Sequence, residues 1–238
     1  MKVITLTENT SLQEDLRAEH GLSLYVQTGN RKLLFDCGQT GLFKENAEKL
    51  GVDLGQVDTM VLSHGHYDHG GGLYTFLDVN SKAPIYASDL CFGDFYNGTK
   101  KYIGLNPTLR DCSRILAVPD PLSLGDGLTL TPGRMVITSE PIPYFGLNVK
   151  HKTFFTKDCF LHEQYLTVEE DGKKILFSGC SHRGILNIAR HFLPGVLIGG
   201  FHFKKLDPVN DREELIRYGQ QLLELPTVYY TCPVQWQV

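Results

Sequence analysis

His64-Gly65-His66-Tyr67-Asp68-His69 places three imidazoles and one carboxylate in six consecutive residues. The apolar run Asp58-Thr59-Met60-Val61-Leu62-Ser63 precedes it, and Gly70, Gly71 and Gly72 follow. This order predicts a buried strand that ends in a tight polar loop and then turns into a helix. At such a strand end, side chains two residues apart can converge. Neutral imidazole and carboxylate are ligands suited to zinc and its neighbours. The apolar strand before it and the glycines after it weigh against a chance cluster of surface histidines.

Upstream, Met1-Lys2-Val3-Ile4-Thr5-Leu6 reads as a first strand. Leu22 to Val26 alternates as a half-buried strand does. Thr28-Gly29-Asn30 is a turn, and Lys32-Leu33-Leu34-Phe35-Asp36 returns as a strand ending on a carboxylate, which makes a hairpin. Gly41 to Leu50 is helical in spacing, with Gly51 as its stop. Downstream, Gln164–Val168 and Lys174–Ser178 flank Asp171-Gly172, a strong hairpin turn. Gly184 to Phe192 reads as a helix and Val196 to Gly200 as a buried strand. Asn210 with Glu213 resembles a capping box opening a helix whose face is Leu215, Tyr218, Leu222 and Leu225. Thr227 to Tyr230 reads as a last strand. Residues 88 to 160, rich in glycine, proline, aromatics and cations, have weak periodicity. They are expected to be long loops with a few short strands that wall a pocket inside a single domain spanning 1–238.

Composition excludes several classes. The 238 residues are 42% hydrophobic and 21% charged, as in ordinary globular chains. The net charge of −4 gives no case for nucleic acid or an anionic membrane as partner. No run approaches the ~20 apolar residues that span a bilayer, and Met1 to Leu6, read as a strand, is not expected to act as an export signal. The six cysteines are scattered, with no C-x-x-C pair. The expectation is a cytoplasmic protein with free thiols.

HGHYDH after a strand, together with Leu34-Phe35-Asp36-Cys37-Gly38, resembles the metallo-β-lactamase superfamily. The resemblance implies an αββα sandwich: two mixed β-sheets face to face, helices on the outer faces, and a metal site at one edge. It also implies that His64 and His66 bind a first metal and that Asp68 and His69 bind a second. His162, just before the 164–178 hairpin, stands where the third ligand of the first metal is found. Cys180 holds the position of a bridging carboxylate. Asp36 would support the ligands from behind by fixing an imidazole tautomer.

Gly179-Cys180-Ser181-His182 further resembles the branch of dihydropterin-methyl-ribofuranosylaminobenzene-phosphate synthases, long described as metal-dependent hydrolases. Ala18-Glu19-His20-Gly21-Leu22-Ser23-Leu24, Gly184-Ile185-Leu186-Asn187-Ile188 and Gly199-Gly200-Phe201-His202 support the same branch. His182, and less strongly His202, join the candidates for contact with a metal or its substrate. His20, His151 and His191 are read as structural or solvated. The branch usually ends its last strand in His-Cys-Thr-Gly. Here Thr231-Cys232-Pro233 follows, so the second site is expected to lack one ligand, and a short C-terminus would leave an edge that invites a homo-oligomer.

The implied activity is hydrolysis of a small ester, lactone or phosphoester by a metal-bound hydroxide, with Asp68 positioned to handle its proton. The alternatives are a transferase of the synthase type and a metal fold with an incomplete, inactive site. The histidine-rich shell favours one or two Zn2+ per chain over Mn2+ or Fe2+. The partner is a small molecule, and Lys100, Lys101, Tyr102, Arg110, Arg114, Lys150 and Lys152 are available to receive a phosphate or carboxylate on it.

Overall fold

The structure, a computed structural model, describes residues 1–203 and 206–231. Two six-stranded sheets carry the fold. The first runs in spatial order Lys2–Thr7, Ser23–Thr28, Arg31–Phe35, Thr59–Val61, Ile85–Ser88, Ile115–Val118. Its first three strands are antiparallel and the rest add in parallel. The second runs Tyr229–Thr231, Val196–Gly199, Lys173–Ser178, Gln164–Glu170, Leu128–Pro132, Leu122–Gly125. It is parallel across its first two pairings and antiparallel thereafter. Both sheets are therefore mixed.

The strands read as continuous apolar runs because both faces of each sheet are covered. Leu33, Phe35 and Val61 from the first sheet meet Leu130, Leu166, Val168 and Phe177 from the second. Phe35 and Phe177 touch across the layer, with ring centroids 5.7 Å apart. The alternate residues point outward. Leu34, Met60 and Ile85 pack under the helices Leu42–Lys49 and Leu73–Val79, through Phe43, Leu73 and Phe76. Tyr165, Leu176 and Leu197 pack under Ile185–Phe192 and Arg212–Leu223. The result is helix, sheet, sheet, helix. Each large side chain buried this way contributes roughly 1.5–3 kcal/mol relative to exposure.

Residues 88 to 160 contain more strand than their periodicity suggests. Ile115–Val118 joins the first sheet, and Leu122–Gly125 and Leu128–Pro132 join the second. A small third sheet has the order Phe154–Lys157, Leu147–His151, Phe95–Asn97, Lys101–Tyr102. These strands are two to five residues long, too short for a period of two to show. The central pairing joins residues some fifty positions apart. The last helix also differs from expectation. It starts at Arg212 after Asp211 with no side-chain cap, while Asp207 accepts from the backbone N–H groups of Val209 and Asn210. The expected Asn210–Glu213 box is not formed; Asp207, three residues before Asn210, closes the preceding turn instead. Cys232 and the terminal stretch after Thr231 lie outside the described residues. Among the described residues, no helix is long and apolar enough to cross a membrane.

Candidate metal centre

Thr59–Val61 is buried along its length and delivers its chain into the loop at one end of the sandwich. His66 ends that loop in an extended conformation and opens the single helical turn Tyr67–Gly70. The small sheet clips the loop from outside: His66 bridges to Gly104, and Tyr67 N–H donates to the Ile103 carbonyl at 2.9 Å. Across the sandwich, Gln164 Nε2 donates to the carbonyls of Leu62 and Tyr86. Both sheets are thus tied together where the histidines emerge.

Asp36 is fully buried behind them, at the end of Arg31–Phe35 with a left-handed φ of 59°. Its Oδ1 accepts the Ser63 N–H at 2.7 Å. Its Oδ2 accepts the Ser63 hydroxyl at 2.7 Å and lies 2.6 Å from His69 Nδ1. With its proton committed to Asp36, Ser63 Oγ is left to accept from His64 Nδ1, 2.8 Å away. One carboxylate therefore fixes two rings, each with Nε2 turned inward.

His64 Nε2, His66 Nε2 and both nitrogens of His182 are buried with no hydrogen-bond partner. The His182 ring lies 5.0 Å from that of His64 and 4.9 Å from that of His66, and stacks on Phe160 at 4.5 Å. Donor atoms of His64, His66 and His182 all fall within 4.8 Å of one another. Burial, reinforced by the neighbouring rings, holds His64 and His182 well below the ordinary histidine range and brings His66 down to about 3. They are neutral imidazoles with open lone pairs. A buried unmatched nitrogen costs about 1–3 kcal/mol, and three rings of them in one place are what a divalent metal satisfies. The residues present fit a metal.

The donor atoms of a second group, His64, His69 and Cys180, also lie within 4.8 Å of one another. Cys180 Sγ is 3.1 Å from His69 Nε2. Burial pushes the Cys180 thiol up, against the pull of His69. Burial also opposes charge on His69, but Cys180 and Asp36 outweigh it and hold its pKa well above the ordinary range. That direction rests on Asp36, in contact with Nδ1. The His69 Nε2 proton and the Cys180 thiol proton must both leave before the pair can bind a metal.

Residues 16–222 match the profile of the metallo-beta-lactamase superfamily. The chain belongs to that superfamily. It is 27% identical over 241 residues to the 7,8-dihydropterin-6-methyl-4-(beta-D-ribofuranosyl)-aminobenzene-5'-phosphate synthase of Methanocaldococcus jannaschii, covering 89% of this chain and 80% of the relative. An uncharacterized protein of the same organism is 28% identical over 212 residues, 83% of this chain and 77% of its own length. A crystal structure described as a metal-dependent hydrolase of the beta-lactamase superfamily superposes with a TM-score of 0.76 at 25% identity, covering 99% of this chain and 98% of that one.

Against the superfamily pattern, the structure brings His64, His66, His69, Cys180 and His182 together and treats two expected ligands differently. His162 has both nitrogens engaged: Nδ1 accepts the Gly65 N–H at 3.0 Å, and Nε2 lies 3.1 Å from Asp158 Oδ2. It also forms a donor group with His66 and Asp158, so it stays a candidate ligand while its Nδ1 supports the loop at Gly65. Asp68 faces the cleft, and its Oδ2 lies 3.3 Å from His20 Nε2 and 3.9 Å from His69 Nε2. Burial alone would raise its pKa, but His69, His66 and His20 outweigh that and lower it. His202 packs its ring between Phe145 and His182, with centroids 4.4 and 4.3 Å away.

Three residues escaped the sequence reading. His20, read as structural, lines the cleft and reaches Asp68, with Asn9 Oδ1 2.6 Å from its other nitrogen. Asp158 backs His162. Glu163 accepts the N–H groups of His182 and Arg183 and the Tyr165 hydroxyl. That fixes the left-handed turn at Ser181 and so aims His182. Only His20 carried a signal, as part of the Glu19-His20-Gly21 passage. The cleft above these groups has a volume of about 260 Å³ and opens between the metal loop and the small sheet.

Proposed function

We propose that this protein is a metal-dependent hydrolase of a small ester, lactone or phosphoester, with zinc as its metal. The observation that carries the reading is the set of buried, unpartnered nitrogens on His64, His66 and His182 beneath an open cleft. His64, His66 and His182 would hold one ion, and His69 with Cys180 would hold a second beside it. Imidazole and thiolate together suit zinc better than the harder divalent ions. When bound, such an ion supplies Lewis-acid activation of a substrate oxygen.

The chain's own residues supply the rest. Asp36 and Ser63 keep His64 and His69 in the tautomers that face inward. Asp68, held as a carboxylate and steadied by His20, stands at the cleft wall where it can accept a proton. Ile103, Phe145 and Leu147 line the cleft and shield that end from bulk water.

A second reading is transfer between a dihydropterin and a ribofuranosylaminobenzene phosphate. It is supported by the synthase relative, similar over 89% of the chain. The test is metal content by elemental mass spectrometry on chelator-free protein, followed by an assay of esters, lactones and phosphoesters. At least one metal per chain and chelator-sensitive hydrolysis are expected. Bound metal with no hydrolysis, but with coupling of the two synthase substrates, would replace the hydrolase by the transferase. No metal uptake would sink both.

A further inference from the structure

Of the cations in residues 100 to 152, only Lys101 lines the cleft. Arg114 is consumed by the carbonyls of Ala83 and Asn80. Arg110 donates to the Phe92 carbonyl beside a separate cavity. Lys150 sits over the Tyr96 ring. Lys101 Nζ, by contrast, donates to the Tyr67 hydroxyl at 3.2 Å and stands 5.2 Å above the Tyr67 ring. Among the described residues, no carboxylate forms an ion pair with it. The carboxylate of the cleft, Asp68, is engaged by His20.

Tyr67 lies between His66 and Asp68 in the chain, so Lys101 is held at a set offset from the metal loop. Lys101 is exposed and Tyr67 half-buried, and a cation over a ring so near the surface gains only about 0.5–1 kcal/mol. That orients the ammonium without giving it a counter-charge. Asn97 lines the cleft as well, and Ile103, Phe145 and Leu147 give it apolar surface.

We propose that the cleft takes a substrate with an apolar, ring-sized body and a terminal carboxylate or phosphate, and that Lys101 receives this anionic group. The proposal rests on the cleft being the active site, and it names the substrate class. Lys101 selects by charge: an ammonium–anion hydrogen bond is about twice as strong as a neutral one, and a neutral analogue forfeits it.

The test is calorimetric titration of the metal-loaded protein with benzoate, phenylphosphonate and the neutral benzamide, for wild type, Lys101→Met and Lys150→Met. Wild type should bind one or both anions more tightly than benzamide, and which anion wins separates carboxylate from phosphate. Lys101→Met should reduce that preference about tenfold, while Lys150→Met should leave it as in wild type. Equal binding of anion and amide by wild type, or an undiminished preference in Lys101→Met, would overturn the proposal. Lys101-dependent anion binding in a protein that hydrolyses nothing would instead remove the hydrolase and leave this assignment standing.

Discussion

Asp36 Oδ2 lies 2.6 Å from His69 Nδ1, across 33 positions of sequence, and the same oxygen accepts the Ser63 hydroxyl that orients His64. One buried carboxylate therefore sets the direction of two imidazoles in two candidate metal groups. Asp36→Asn keeps the volume, tolerates the left-handed backbone and preserves an oxygen for the Ser63 N–H. It replaces Oδ2 with an amide that cannot accept from His69 or Ser63. Metal affinity should fall 10–100-fold, measured by competition with a chromogenic chelator. An unchanged affinity would mean that the rings are oriented by packing alone.

The Gly179-Cys180-Ser181-His182 passage marked His182 as a candidate in the sequence, and its two buried nitrogens without hydrogen-bond partners support it as a ligand. His182→Ala should lower metal content as much as His66→Ala does, with a native far-ultraviolet spectrum in both. Elemental analysis of the two variants decides this. Full occupancy in His182→Ala would make its open nitrogens a substrate contact instead.

The metal-free protein should be acid-sensitive in an unusual window. His64, His66 and His182 have pKa values below that of an unfolded histidine, near 6.5, with His66 at about 3. Below pH 6.5 the unfolded chain binds protons that these folded rings refuse. Stability is therefore fully present above 6.5 and is lost as pH falls toward 3, by about 1.4 kcal/mol per pH unit for each ring. His69, held above 6.5, is charged in both states across that window and adds no slope. Urea midpoints of chelated protein should fall steadily from pH 6.5 to 5. A flat profile would show that the rings are solvated in the metal-free state.

Much of the architecture was readable because local pattern and burial agree. The runs around Leu33 to Phe35 and Met60 to Leu62 are apolar on both faces, as a strand between a helix layer and a second sheet must be. Asp171-Gly172 marked its hairpin because both residues take positive φ. The small sheet was not readable. Phe95–Asn97 pairs with Leu147–His151, and no local signal encodes a contact between strands this short and so far apart. The site divides in the same way. Asp36 ends one strand, and His64, His66 and His69 follow the end of the next in the loop and helical turn it leads into, where sequence order gives position. The roles of His20, Asp158 and His162 depend on where loops return, and Asp68 Oδ2 is 3.3 Å from a histidine nearly fifty residues earlier.

That return can be tested at Gly21, which carries His20 to the cleft. Gly21 has φ +130°, and a Cβ there would stand 1.8 Å from the Asp68 carbonyl oxygen. Gly21→Ala must therefore move either the His20 segment or the turn that carries Asp68 and His69. A clash with backbone, added to a left-handed conformation, should cost about 2–4 kcal/mol, or some 4–16 °C in Tm for a chain of this size. Gly98 also has positive φ, but a Cβ there meets nothing within 4 Å. Gly98→Ala should cost about 1 kcal/mol, which isolates the conformational part. If Gly21 backs the site, melting with and without added zinc should show a smaller zinc-induced rise in Tm for Gly21→Ala than for Gly98→Ala. Equal rises would mean that the alanine is absorbed on the His20 side and that Asp68 and His69 stay in place.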